Sequence, residues 1–141
     1  MTTPRDDMEL VCRSASDFAI EQIAKHGDFI PFAVVIDHVG GLRFVQLGED
    51  QVKDGGERSL TKIREILRTN AKKGAYTATA VASDVRVRLN ETGEITDAIR
   101  VEVEHASDEP ITCMLPYCKT EKGFEQRIDP YLEPGDRTVF S

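Results

Sequence analysis

The stretch from Phe32 to Ile36 constrains this 141-residue chain more than any other segment. In a strand, alternate side chains point to opposite faces. Phe32, Val34 and Ile36 then share one face, and Ala33 and Val35 share the other. Both faces are apolar, which places the strand centrally in a sheet. Pro31 marks its start. Val39-Gly40-Gly41 supplies a turn, and Leu42 to Leu47 returns as the second strand of a hairpin.

Two helices flank this hairpin in sequence. Before it, Val11, Ala15, Phe18, Ala19 and Ile23 recur at spacings of three and four, the mark of one helical stripe. Thr3 is placed to cap, Pro4 suits the first helical position, and Asp6 and Asp7 favour the positive end of the helix dipole. Lys25 and His26 suit its last turn, and Gly27 a left-handed cap, so a helix is predicted over residues 4–26. After the hairpin, residues 48–56 read as a polar loop. Ser59 then reads as a cap, and Leu60, Ile63, Leu67 and Ala71 as a second stripe, closed by Lys72, Lys73 and Gly74.

The remainder is rich in strand patterns. Tyr76, Ala78, Ala80 and Ala82 alternate, after which the apolar phase moves to Val85, Val87 and Leu89. Such a slip predicts a bulge or turn at Ser83-Asp84. Residues 90–96 read as a loop. Ile99, Val101 and Val103 form one strand's inner face, with Arg100, Glu102 and Glu104 outside. A pairing of Val85 with Val103 and Val87 with Val101 sets Arg86 opposite Glu102, a favourable cross-strand charge pair. Asp108-Glu109-Pro110 reads as a turn, and Ile111, Cys113, Leu115 and Tyr117 as the last clear strand.

From Lys119 the pattern fails, broken by Gly123, Pro130, Pro134 and Gly135, yet Phe124, Ile128, Tyr131, Leu132, Val139 and Phe140 lie within it. Such a tail is ordered by packing, on its own domain or on a partner. The expected fold is one α+β domain over residues 1–141. It comprises two helices and a largely antiparallel sheet of about five strands, in the order α-β-β-α-β-β-β plus the tail over 119–141. By element order alone this is similar to roadblock-type and profilin-like modules, which implies scaffolding and dimerisation; no family motif accompanies the similarity.

Composition narrows the function classes. Hydrophobic residues make up 40% and charged residues 30%, a folded balance and not a disordered one. The net charge of −7 disfavours nucleic acid and anionic membranes as partners. No apolar run reaches the roughly 18 residues of a membrane span. The N-terminus shows neither a basic nor an apolar leader segment, so no secretion signal is expected. Three cysteines at irregular spacing, Cys12, Cys113 and Cys118, point to free thiols in a reducing, cytoplasmic setting. Cys113 and Cys118 fall on opposite faces of one strand and cannot easily pair.

Chemistry-bearing residues are sparse. No nucleophile elbow, zinc-protease box, phosphate loop or dinucleotide fingerprint occurs. His26 suits the end of the first helix. Asp37-His38 reads as turn chemistry, or as a base oriented by a carboxylate. His105 points away from Glu102 and Glu104, which makes a poor metal site, and no metal or cofactor is expected. Residues 57–73 are basic and residues 91–109 acidic. Arg64, Arg68, Lys72 and Lys73 therefore read as a basic surface for an acidic partner or nucleic acid, or as a complement to the acidic strand.

The leading expectation is a cytoplasmic interaction module without catalysis, a homodimer whose contact uses Tyr117, Phe124, Tyr131 and Phe140. The alternative is a ligand-binding protein or enzyme with a pocket between sheet and helices, using Asp37, His38 or His105.

Overall fold

A computed structural model describes residues 3–48, 56–121 and 123–140. Helix α1 (Pro4–His26) opens the chain with the expected capping: the Thr3 hydroxyl accepts from the Asp6 amide, and the Asp6 carboxylate accepts from the Thr3 amide. It closes at Gly27, whose φ of 84° turns the chain left-handed as its amide donates to the Ile23 carbonyl at 2.8 Å. Strands β1 (Phe32–Asp37) and β2 (Leu42–Val45) form the predicted hairpin. Helix α2 (Gly56–Lys72) follows. Its start corrects the reading of Ser59 as a cap: Ser59 is buried inside the helix, on the same side as Ile63 one turn later. Most of the predicted loop before α2, residues 49–55, lies outside the described residues.

Five further strands complete an antiparallel sheet: β3 (Tyr76–Arg88), β4 (Ile95–His105), β5 (Asp108–Thr120), β6 (Gly123–Gln126) and β7 (Tyr131–Pro134). The order is β2-β1-β3-β4-β5-β6, with β7 also on β5. The class is α+β, as expected, with more strands than the five read from the sequence because the tail supplies two. The helices cover opposite faces. Met8, Val11, Ala15, Ala19 and Ile23 of α1 pack on Phe32, Val34, Ile36, Ala78, Ala80, Ala82 and the odd-numbered residues of β4 and β5. Leu60, Ile63 and Leu67 of α2 pack on Ala33, Val35 and Val81. Each buried Val, Leu, Ile, Phe or Met among these contributes about 1.5–3 kcal/mol before chain entropy is counted. The two apolar faces of β1 thus serve two helix layers.

Four local expectations are corrected. No bulge interrupts β3 at Ser83-Asp84: its pairing with β4 runs unbroken from Ala78↔His105 to Arg88↔Ile95. The apolar phase changes because β3 runs beyond the cover of α1, so that Arg86 and Arg88 on that face are exposed. The register also differs. Val85 lies opposite Ala98 and Val101 opposite Ala82; Arg86 faces Asp97, its Nε 3.6 Å from Oδ1, and not Glu102. The turn sits at Asn90–Gly93, inside the expected loop and closed by Leu89 N–H to the Glu94 carbonyl at 2.8 Å, but Ile95 and Thr96 at the end of that loop belong to β4. Finally, the β4–β5 turn falls at Ala106-Ser107, and Pro110 lies within β5.

The tail is built around a second proline. The outer edge of β5 pairs Ile111–Met114 with β7 and Tyr117–Thr120 with β6. Pro116, which has no amide to donate, falls in the gap between them, and its carbonyl accepts from the Arg127 amide at 3.0 Å. Beyond β7, Val139 is buried beneath α2, and Phe140 packs against the same cluster. No helix among the described residues is long and apolar enough to cross a membrane.

Candidate functional site

The residues expected to line a pocket are occupied structurally. Asp37 ends β1, and its Oδ1 accepts from the Gly41 amide at 2.7 Å and the Val39 amide at 3.1 Å, while Oδ2 accepts from Arg43 Nε at 2.8 Å. The Gly41 amide, followed by Arg43, holds this carboxyl below the usual Asp range. Asp37 therefore fastens the β1–β2 turn. His38, beside it, is exposed, and its backbone amide binds the Ala75 carbonyl.

His105 is 4% exposed beneath α1, with Nε2 3.2 Å from Asp7 Oδ2. The Ser107 amide donates to its Nδ1 at 2.9 Å. A nitrogen accepting an amide hydrogen carries no proton, so Nε2 holds the proton and donates it to Asp7. Neither ring nitrogen is left to take a proton from a substrate. The pair clips the start of α1 to the β4–β5 turn. No hydrogen bond or ion pair among the described residues joins Asp37, His38 and His105, and no group of three His, Cys, Asp or Glu side chains with metal-holding geometry occurs there.

The tail aromatics are packed to different depths. Tyr117 is 1% exposed, stacks on Phe124 with ring centroids 5.3 Å apart, and donates its hydroxyl to Asp84 at 2.7 Å. Its ring offers no surface to a partner. Phe124 packs on the α1 core and Phe140 on the α2 core, while Tyr131 is partly exposed. What anchors the tail is a residue read from the sequence as outward: Glu104, 1% exposed on the α2 face. Its carboxylate accepts the amides of Thr138, Val139 and Phe140 at 3.0–3.2 Å and the Thr138 hydroxyl at 2.9 Å.

The basic helix divides in two. Lys72 and Lys73 are exposed. Arg64 and Arg68 turn inward: Arg68 Nε donates to the Thr138 carbonyl at 2.8 Å, and Arg64 bonds to Glu102 of the acidic strand. Arg100 Nε lies 3.8 Å from the same Glu102 oxygen. Arg100 faces Ser83 directly across the β3–β4 ladder. Arg64, Ser83 and Arg100 thereby line a cleft of about 640 Å³ between the first turns of α2 and the sheet, walled by Leu60, Thr61, Phe29, Pro31 and Val85.

This cleft concentrates the unmet polar demand of the fold. Among the described residues, four buried side-chain polar atoms have no hydrogen-bond partner: Arg64 Nε, Thr79 Oγ1, Ser83 Oγ and Arg100 Nε, the last still within ion-pair distance of Glu102. All but Thr79 belong to residues lining the cleft. A buried polar atom left unpaired costs about 1–3 kcal/mol. Two of these atoms are guanidinium donors and the third is a hydroxyl, so an oxygen acceptor bearing negative charge matches all three. The lining sets Arg64, Arg86 and Arg100 against Glu57 and Asp84, and Glu102 is bonded to Arg64, so the formal charges around the cleft balance.

Sequence reading found Arg64 but not the cleft. Ser83 carried only the signal of a phase change, and Arg100 that of an outward charge. The pairing that joins them depends on a register five positions from the expected one. Comparison with known protein families, with curated proteins and with solved structures gives no match.

Proposed function

We propose that this chain is a small-molecule-binding domain whose ligand carries a carboxylate or a comparable oxyanion, held in the cleft between α2 and the sheet. Arg64 and Arg100 supply charge and N–H donors, Ser83 supplies a hydroxyl, and Glu102 holds the guanidiniums in place. The single observation behind this reading is that three of the buried polar atoms without a hydrogen-bond partner belong to residues of one cleft. A reducing, cytoplasmic setting is supported by the odd number of cysteines at irregular spacing.

The test is thermal unfolding with a panel of simple carboxylates and inorganic phosphate, on the wild-type chain and on Ser83→Ala and Arg100→Gln. Protection of the wild type by at least one panel member, lost in both variants, supports the reading. Absence of protection across the panel, or equal protection of the variants, overturns it.

A second reading, the homodimeric interaction module, rests on β2. This four-residue strand is the last in the sheet on its side, with Leu42 and Phe44 42% and 46% exposed. An open edge of this kind accepts a further strand, and a second copy would continue the sheet. Arg64 and Arg68 have internal partners, so an acidic partner would be left Lys72 and Lys73. Native mass spectrometry tests the assembly: a mass of two chains supports it, and a monomer at every concentration overturns it.

A further inference from the structure

The face of the sheet opposite the proposed ligand cleft carries a second feature, independent of it. Cys12 lies on α1 one turn beyond Met8, so both look toward the sheet. Cys113 is an odd-numbered residue of β5 and faces α1. These thiols, 101 positions apart in sequence, line one cleft, and Cys12 packs against the buried cluster that contains Cys113. Leu132 of β7, the direct cross-strand partner of Cys113, is 67% exposed. The cleft, of about 630 Å³, is lined by Met8, Cys12, Val103, Ile111, Cys113 and Leu132, with charged residues such as Arg5 and Glu9 also bordering it.

We propose that Cys12 and Cys113 form a reactive dithiol site, in which a small uncharged hydroperoxide enters the apolar cleft, Cys12 reduces it, and Cys113 closes a disulfide. The roles follow from position. Both line the cleft, but Cys12 is half-buried and is the more accessible thiol, whereas Cys113 is buried. The hydrogen bond from Cys113 holds the Cys12 thiol down at about 7 against the opposing effect of burial, and the Ser16 hydroxyl, one turn along α1, adds to it. Cys113, which gives that hydrogen bond and is itself buried, is pushed up and keeps its proton. One sulfur is thus an available nucleophile and its neighbour a stored thiol.

The chemistry balances in two steps. The Cys12 thiolate attacks the outer peroxide oxygen; the O–O bond breaks, and with one proton from solvent the products are Cys12 sulfenic acid and an alcohol, or water from hydrogen peroxide. The Cys113 sulfur then attacks the Cys12 sulfur; the S–O bond breaks and the hydroxyl leaves as water with the Cys113 proton. Two thiols are oxidised to one disulfide, and one peroxide is reduced. The new bond ties α1 to β5 across the cleft floor, and a thiol reductant reverses it.

Cys118 provides the internal control, since it lies on the opposite face of β5 and is also a partly exposed free thiol. The experiment treats the full reduced chain with hydrogen peroxide or tert-butyl hydroperoxide, blocks remaining thiols with N-ethylmaleimide, and maps the peptides by mass spectrometry. The expected result is a Cys12–Cys113 disulfide within one chain, reversible by dithiothreitol, with Cys118 alkylated. In Cys113→Ser, dimedone captures a sulfenic acid on Cys12. Should that variant fold poorly, phenylarsine oxide on the wild type gives an independent readout, bridging both sulfurs with loss of one water. Alkylation of both Cys12 and Cys113 after peroxide treatment, no arsenical bridge between them, or oxidation at Cys118 as fast as at Cys12 overturns the proposal.

Discussion

A carboxylate organises a fold or serves chemistry according to what already occupies its oxygens. Asp37 and Asp84 illustrate the two signs this takes in titration. Asp37 is held below its usual range, first by the Gly41 amide and then by Arg43. Its contribution to stability is therefore complete above the unfolded value of about 3.9 and is lost as pH falls through the lower folded value. Asp84 is raised by burial, against the pull of the Tyr117 hydroxyl. Its charge opposes folding at neutral pH, and that opposition is relieved as pH falls through the raised folded value. We expect Asp37→Asn to remove part of the loss of stability below about pH 4. Asp84→Asn should raise the unfolding midpoint at pH 7, because an amide oxygen still accepts from Tyr117 without carrying charge. Urea unfolding over a pH series measures both; an unchanged acid limb in the first variant, or a lower midpoint in the second, contradicts these assignments. Asp37 was legible as turn chemistry because its partners lie within six positions. The His105 arrangement was not, since Asp7 lies 98 positions away.

At the scale of elements, the C-terminal segment shows how one side chain orders a stretch that lacks periodicity. Glu104 gathers three consecutive amides of residues 138–140, and Arg68 takes the carbonyl of Thr138. In Glu104→Gln an amide N–H₂ group faces donors, so a loss of about 2–3 kcal/mol is expected, with faster hydrogen exchange at the amides of Thr138 to Phe140. Unchanged exchange there would show that Val139 burial alone holds the tail. The β5–β6 turn is constrained differently. Gly123 has φ of 97°, and a Cβ there would lie 3.2 Å from Ala24 Cα. Gly123→Ala should cost about 1–2 kcal/mol for the backbone conformation and more for the contact, read as a lower thermal midpoint. Both helices and the β1–β2 hairpin were readable because their signals are local: caps, stripes and a glycine turn. The continuity of β3 was not, because a change of apolar phase looks the same whether a strand bulges or runs out from under a helix. The small strands β6 and β7 escaped notice because four residues each carry too little alternation to register, and β7 runs from just after Pro130 to Pro134.

For the whole molecule, the decisive arrangement is one sheet with a helix on each face. It gives the two sides different work: under α2 lie the arginines, Ser83 and Glu104, and under α1 lie His105 and the Cys12–Cys113 pair. The two sites are separated by the sheet, so their perturbations should be additive. Ser83→Ala is expected to leave the rate of Cys12 alkylation by iodoacetamide unchanged, while abolishing protection by the cleft ligand. A change in that rate would show the faces to be coupled. The sequence by itself determined the α+β class, the extents of α1 and β1, the two-sided burial of β1 and the inner faces of β4 and β5, because periodicity and capping act over a few residues. Only the tertiary structure decided the β3–β4 register, the side each helix covers, the docking of the tail on Glu104 and the convergence of Arg64, Ser83 and Arg100. Those features depend on which distant residues meet, and a pairing register is chosen by the packing of whole faces against helices, not by any single cross-strand pair.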